Sequence, residues 1–379
     1  MTSVASLAPE EAAASDLNAG RLARQEVRAL RRYHLDLSPC RHKLDQNEVP
    51  YDLPPPQKRR AVERIAARAW ERYPDFHADG LRRRLAERHG VPFDAVLVGN
   101  GSNELLATTL EAVAGPGVEV LVPVPTFGLY RVFAVRAGSS VREVPSGEDL
   151  RLPLTALDAE IERDPTRPVI LCTPNNPTGD AATVESVERL LERLEAPLLL
   201  DNAYAEFCDL DYRPLLARFD HLMIFRTFSK AWSLGGARLG YLLAAPSLVA
   251  ELVKVKLPYN VGFPSALLGE EVLDRPAAAE RRLRAILGRR PQWRAMLERF
   301  GFTVFPSQAN FWLARAPHGV EIDAVRAGLE ARGIRVRDVS GGRGLSGCMR
   351  VSVGSGRALR DVEAALREIL PGASEEATP

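Results

Sequence analysis

Lys230 closes the run Thr227-Phe228-Ser229-Lys230, ahead of Ser233-Leu234-Gly235-Gly236-Ala237-Arg238-Leu239-Gly240. A lysine near a strand end is ordinarily a solvated cation. Here small and apolar neighbours would strip water from the amine and lower its pKa, the condition for Schiff-base chemistry. Ser229 and Arg238 add a hydroxyl and a guanidinium suited to one phosphate group. Asp201-Asn202-Ala203-Tyr204 follows a second apolar run. Its aspartate would either cap the next turn or stand buried and demand a cationic partner. Thr173-Pro174-Asn175-Asn176-Pro177-Thr178-Gly179 has ordinary turn chemistry, but its order is more particular than a turn needs and suits a rigid loop aiming an amide. Gly99-Asn100-Gly101-Ser102 reads equally well as a capped helix start or as a phosphate cradle at a helix N-terminus. It is not a Walker loop, because no Gly-Lys-Ser/Thr follows. It is not a dinucleotide fingerprint either, because Glu104 stands where the third glycine belongs. Each signal alone is modest. Four of them, each after a separate apolar run, argue for one site.

The positioning elements follow from periodicity. Short apolar runs at 95–98, 118–122, 169–172, 198–200, 222–225 and 239–243 predict buried strands. Helical spacing covers 57–73, 102–114 and 183–194. Such alternation predicts an α/β fold with a mostly parallel sheet covered on both faces, and ligands of such sheets lie beyond the carboxyl ends of the strands. After residue 264 the pattern changes. A long helical stretch, 265–300, is expected to break at Pro276 or Pro291. Short strands at 302–305, 311–314, 334–337 and 349–353 then predict a smaller α+β unit. The expected division is an arm at 1–50 that contributes to the small domain, a large domain at 51–264 and a small domain at 265–379.

Fifty basic and 49 acidic residues nearly cancel. That balance gives no electrostatic reason to expect nucleic acid or an anionic membrane as partner. Cys40, Cys172, Cys208 and Cys348 are scattered without CxxC spacing, so no metal is expected and a reduced, cytoplasmic setting is. The N-terminal segment lacks the pattern of a signal peptide, and no apolar stretch is long enough to span a bilayer.

Together the motifs resemble those of the class II, fold type I pyridoxal phosphate-dependent aminotransferases, and within them the histidinol-phosphate aminotransferases. The likeness runs from about residue 27 to 354. It includes Lys43-Leu44-Asp45-Gln46-Asn47-Glu48, Arg72-Tyr73-Pro74-Asp75, the four segments above, Lys254-Val255-Lys256-Leu257-Pro258-Tyr259-Asn260-Val261 and Met349-Arg350-Val351. The resemblance implies a seven-stranded large-domain sheet, and pyridoxal 5'-phosphate carried by Lys230, which would then shuttle the substrate proton. It implies Asp201 on the pyridine nitrogen, Tyr204 and Asn176 on the ring 3'-oxygen, and Phe127 stacked on the ring. Gly101, Ser102, Thr227, Ser229 and Arg238 would hold the phosphate. Tyr73 would reach the phosphate of a partner subunit, making a homodimer with shared sites.

Arg350 would clamp a substrate carboxylate, Arg337 and Tyr33 would meet the distal anion, and Asn47 would lie beside the substrate. The implied reaction moves the amino group of histidinol phosphate to 2-oxoglutarate. Three positions depart from the family pattern: Val49 where Asn is usual, Asn103 for Asp, and Asn202 for Glu. An aromatic amino acid transaminase would share every cofactor residue. A decarboxylase or carbon–sulfur lyase on the same scaffold would retain the lysine, aspartate and phosphate site. A non-catalytic sensor would need a fused DNA-binding module, and no domain of that size precedes residue 50.

Overall fold

Four-residue runs in which every side chain is buried supply four strands of the larger sheet, because a strand covered by helices on both faces meets no water on either. The computed structural model describes residues 20–30, 32 and 38–371. Its strands are β1 (His42–Leu44), β2 (Val96–Gly99), β3 (Glu119–Val124), β4 (Ser140–Pro145), β5 (Val169–Cys172), β6 (Leu198–Asp201), β7 (Leu222–Thr227), β8 (Gly240–Leu243), β9 (Thr303–Val304), β10 (Phe311–Arg315), β11 (Ile334–Asp338) and β12 (Cys348–Ser352). Strands β2, β5, β6 and β8 are buried along their whole length.

The seven-stranded sheet has the order β2-β8-β7-β6-β5-β3-β4. Only β8 runs against its neighbours, pairing antiparallel with both β2 and β7. Strand β4 was not anticipated. It lies at the sheet edge and buries only Val144 fully, so its polar sequence carries no apolar run to read.

The five-stranded sheet has the order β1-β11-β12-β10-β9. Residues 42–44 pair in parallel with β11, so a segment near the start of the chain completes a sheet otherwise built after residue 300. Helices Ala277–Arg299 and Gly356–Ile369 supply its apolar cover, centred on Trp293, Ile286 and Leu366. The break expected in 265–300 falls at Pro276, between Phe263–Asp274 and Ala277–Arg299. Pro291 stays inside the second helix. The helix expected over 57–73 ends at Ala66. Tyr73 precedes Pro74, and a residue before proline is pushed out of helical geometry. Among the described residues, no helix is long and apolar enough to cross a membrane.

Candidate active site

Strands β5, β6 and β7 are mutually parallel, so the segments that follow them emerge at one edge of the sheet. Strand β8 enters at that same edge. Gly240 pairs with Thr227 on one side and with Gly99 on the other. The four chemistry-bearing segments, far apart in sequence, thus converge.

Lys230 is partly buried and donates from Nζ to the carbonyl oxygen of Gln46 at 2.7 Å. Loss of water around the amine brings its pKa down to about 8, with Arg350 adding to the effect and Glu48 opposing it. That bears out the expectation of a depressed lysine. Asp201 is 5% exposed. Burial raises its carboxyl above the ordinary value, countered by hydrogen bonds from Tyr130 and Ala203 and by the charge of Lys230. Tyr130 donates to Oδ2 at 2.6 Å, and the Ala203 N–H donates to Oδ1 at 3.2 Å. The partner in direct contact is therefore a phenol, with the cation acting from further away. Nothing in the sequence flagged Tyr130, whose spacing in helix Leu129–Ala137 reads simply as core.

Tyr204 accepts from Asn47 Nδ2 at 2.8 Å, and burial pushes its phenol pKa upward. Of the two adjacent asparagines, Asn175 is committed to its own loop. It donates to the Pro125 carbonyl and to Thr178 Oγ1, each at 2.9 Å, and accepts from Thr126 at 2.7 Å. Asn176 Oδ1 instead accepts from Arg350, whose other arm donates to the Asp45 carbonyl. Phe127 lies edge-to-face with Tyr130, ring centres 5.6 Å apart.

A cradle adjoins these groups. Ser102 opens helix Ser102–Val113 after Gly101, whose φ is +89°. A Cβ on Gly101 would come within 2.7 Å of Arg238 Nη2, and one on Gly240 within 2.2 Å of the Ser102 backbone nitrogen. The helix N-terminus is thus packed directly on β8. Arg238 donates to Ser229 Oγ at 3.3 Å, and the Ser229 N–H donates to Thr227 Oγ1 at 3.0 Å. Unpaired helix N–H groups, a guanidinium and hydroxyls fit a phosphate dianion. Beside them stand a depressed lysine for a carbonyl and a buried carboxylate for a ring nitrogen. The residues present fit pyridoxal 5'-phosphate.

Arg337 and Arg350 are Cα partners in the β11–β12 pairing, so their side chains leave the same face of the sheet. Asn202 links the β5 and β6 ends, donating to the Thr173 carbonyl at 2.6 Å and accepting from Arg226 at 3.3 Å. Tyr73 stands apart from the cluster. It is 80% exposed and stacks on Tyr259 with ring centres 4.5 Å apart. Tyr33 lies outside the described residues.

A fold with parallel strands delivering lysine, aspartate and a phosphate cradle to one edge defines the fold type I class of pyridoxal phosphate enzymes. Comparison with known proteins narrows this. The aminotransferase class I and II family matches residues 42–369. Histidinol-phosphate aminotransferase 2 of Nitrosococcus oceani is 36% identical over 335 residues, covering 88% of this chain and 92% of its own. Histidinol-phosphate aminotransferase of Deinococcus radiodurans is 36% identical over 336 residues, with the same coverage. The crystal structure of histidinol-phosphate aminotransferase from Sinorhizobium meliloti in complex with pyridoxal-5'-phosphate superposes with a TM-score of 0.82 at 23% identity, over 92% of this chain and 98% of that one. The chain belongs to the aminotransferase class I and II family and is a pyridoxal phosphate-dependent aminotransferase.

Proposed function

We propose that this aminotransferase moves the amino group of L-histidinol phosphate to 2-oxoglutarate, giving imidazole acetol phosphate and L-glutamate, a step of histidine biosynthesis. The observation that carries this reading is the pairing of Arg337 with Arg350 across β11 and β12. Residues directly opposite on neighbouring strands present their side chains on the same face, so a doubly charged anion at that face would meet both guanidiniums. A phosphate monoester and a dicarboxylate are both such anions, and guanidinium binds either in bidentate fashion. The likeness to two histidinol-phosphate aminotransferases at 36% identity supports the same substrate.

In this reading the bound cofactor supplies an electron sink for the pair left at the substrate Cα. Lys230 would hold the cofactor and, once released by the substrate amine, would carry the Cα proton on Nζ. An amine with a pKa near 8 has a useful neutral fraction at neutral pH. Asp201, held in place by Tyr130, would pair with the ring nitrogen and keep it protonated. Tyr204 and Asn176 address the ring 3'-oxygen, and Phe127 covers one face of the ring. Gly101, Ser102, Thr227, Ser229 and Arg238 hold the phosphate. Arg350 clamps a carboxylate, and Arg337 and Tyr33 take the distal anion. Water supplies the carbonyl oxygen of the keto product, and 2-oxoglutarate then accepts the amino group.

Tyr73 serves the site of a second copy, so the unit is a homodimer. The exposed aromatic surface around Tyr73, Tyr259 and Trp70 supports this. The boundaries near residues 50 and 264 belong to the same reading, as does a cytoplasmic location. The placement of β2–β8 in one sheet and of β1 with β9–β12 in the other supports the boundaries.

The test is a visible-absorbance titration of the cofactor-loaded protein with L-histidinol phosphate, then with 2-oxoglutarate. Bleaching by the first and recovery with the second is expected. A band that ignores histidinol phosphate and bleaches with phenylalanine or tyrosine would overturn the substrate and leave the roles of Lys230 and Asp201 standing.

A further inference from the structure

Residues 45–47 follow β1 and touch the site from the side of the five-stranded sheet. The Asp45 carbonyl accepts from Arg350 and the Gln46 carbonyl from Lys230 Nζ. Asn47 is the most heavily held of the three. Its φ is +55°, a left-handed conformation that side chains rarely adopt and asparagine tolerates better than most. It is 1% exposed. Its N–H donates to Ser352 Oγ at 3.0 Å, and its carbonyl accepts from Asn310 Nδ2 at 3.0 Å. Ser352 Oγ shares its proton between the Leu44 carbonyl at 2.9 Å and Asn47 Oδ1 at 3.2 Å, and Asn47 Nδ2 donates to the Tyr204 hydroxyl oxygen at 2.8 Å. Ser352 and Asn310 are themselves fully buried.

A side chain this enclosed offers substrate almost no surface. We infer that Asn47 is a positioning residue that acts through Tyr204, holding its hydroxyl as a hydrogen-bond donor toward the anionic ring oxygen of the cofactor. The inference rests on the reading that places Tyr204 at that oxygen, and it replaces direct substrate contact as the role of Asn47. A phenol whose oxygen accepts from a fixed amide is polarised and directed as a donor, because donation and acceptance at one hydroxyl strengthen each other. Donation to an anionic oxygen stabilises the deprotonated chromophore and lowers the pH at which it forms.

The experiment is a pH titration of the visible band of the cofactor-loaded protein, together with KM for both substrates. Asn47→Gly is the variant of choice, since glycine keeps the positive φ and removes only the amide. The titration midpoint should rise by about 0.5–1 pH unit, with each KM changed less than about threefold. In a Tyr204→Phe background the same substitution should produce no further shift. Ser352→Ala, which frees the Asn47 amide from behind, should move the midpoint in the same direction by a smaller amount, and it serves if Asn47→Gly does not fold. An unmoved midpoint with raised KM would restore direct substrate contact and overturn the inference. So would an equal shift in the Tyr204→Phe background. A wild-type protein that develops no visible band with pyridoxal 5'-phosphate would instead sink the parent reading, and this one with it.

Discussion

At Lys230 the chain keeps an amine where water is scarce, with two guanidiniums in electrostatic reach. Its folded pKa of about 8 lies below the ordinary 10.5, so the folded protein disfavours the proton. That penalty is absent above about pH 10.5, grows as the pH falls, and is complete below about pH 8. Without cofactor, Lys230→Met should therefore be more stable than wild type at pH 7, by about 1–3 kcal/mol after allowance for partial solvent access. The gain should vanish near pH 10.5, and thermal melts at the two pH values check it. The same residue gives a chemical test. Lys230→Ala protein should resist borohydride trapping of pyridoxal 5'-phosphate, and trapping at the wild-type level would remove it from its assigned role. Tyr130 offers a second handle. Its hydrogen bond lowers the Asp201 pKa against the upward push of burial. Tyr130→Phe should then move the acid limb of the kcat/KM profile to higher pH, because Asp201 protonates earlier as pH falls.

Elements hold these residues in place through close backbone contact. Gly240 on β8 lies so near the first turn of helix Ser102–Val113 that an added Cβ would meet backbone atoms of Gly101 and Ser102. Backbone cannot swing aside as a side chain can. Gly240→Ala is expected to displace the phosphate cradle, weakening cofactor affinity by at least about tenfold and costing about 1–3 kcal/mol of stability. Dialysis against cofactor-free buffer followed by a fluorescence titration measures the first, and denaturant unfolding the second. Strand register sets the anion site in the same way. One residue of slip between β11 and β12 would send Arg337 and Arg350 to opposite faces. With register intact, Arg350→Ala should raise KM for both histidinol phosphate and 2-oxoglutarate. An effect on one alone would require a different binding geometry.

On the scale of the whole molecule, Trp70, Tyr73, Leu257 and Tyr259 leave large apolar side chains 41–80% exposed along one stretch of surface. A continuous patch of this kind marks an association surface. If the proposed homodimer forms through it, Leu257→Asp should shift the protein from dimer to monomer in sedimentation velocity. Mixing Lys230→Ala with Tyr73→Ala chains should regain activity that neither has alone, if each site draws on both copies. Activity confined to a monomer would refute the shared site.

The sequence by itself determined the cofactor family and that each of four candidate segments ends or follows a strand. Buried runs such as 169–172 and 198–200 are continuous and local, and the residues that end them are particular enough to reveal a cofactor family. Asn175 and Asn176, by contrast, are alike in type and turn chemistry, and in the sequence only the family resemblance chooses the second. The loop geometry supplies the physical reason, turning the first inward to Thr126 and Pro125 and leaving the second facing Arg350. Tyr130 beneath Asp201, and Asn47 with Ser352 behind Tyr204, are contacts between residues 71 to 305 positions apart. Periodicity reports which face of an element is apolar. It holds no information about which distant hydroxyl or amide that face will meet. That is decided only when β1 joins the five-stranded sheet and the parallel strands bring their ends to one edge.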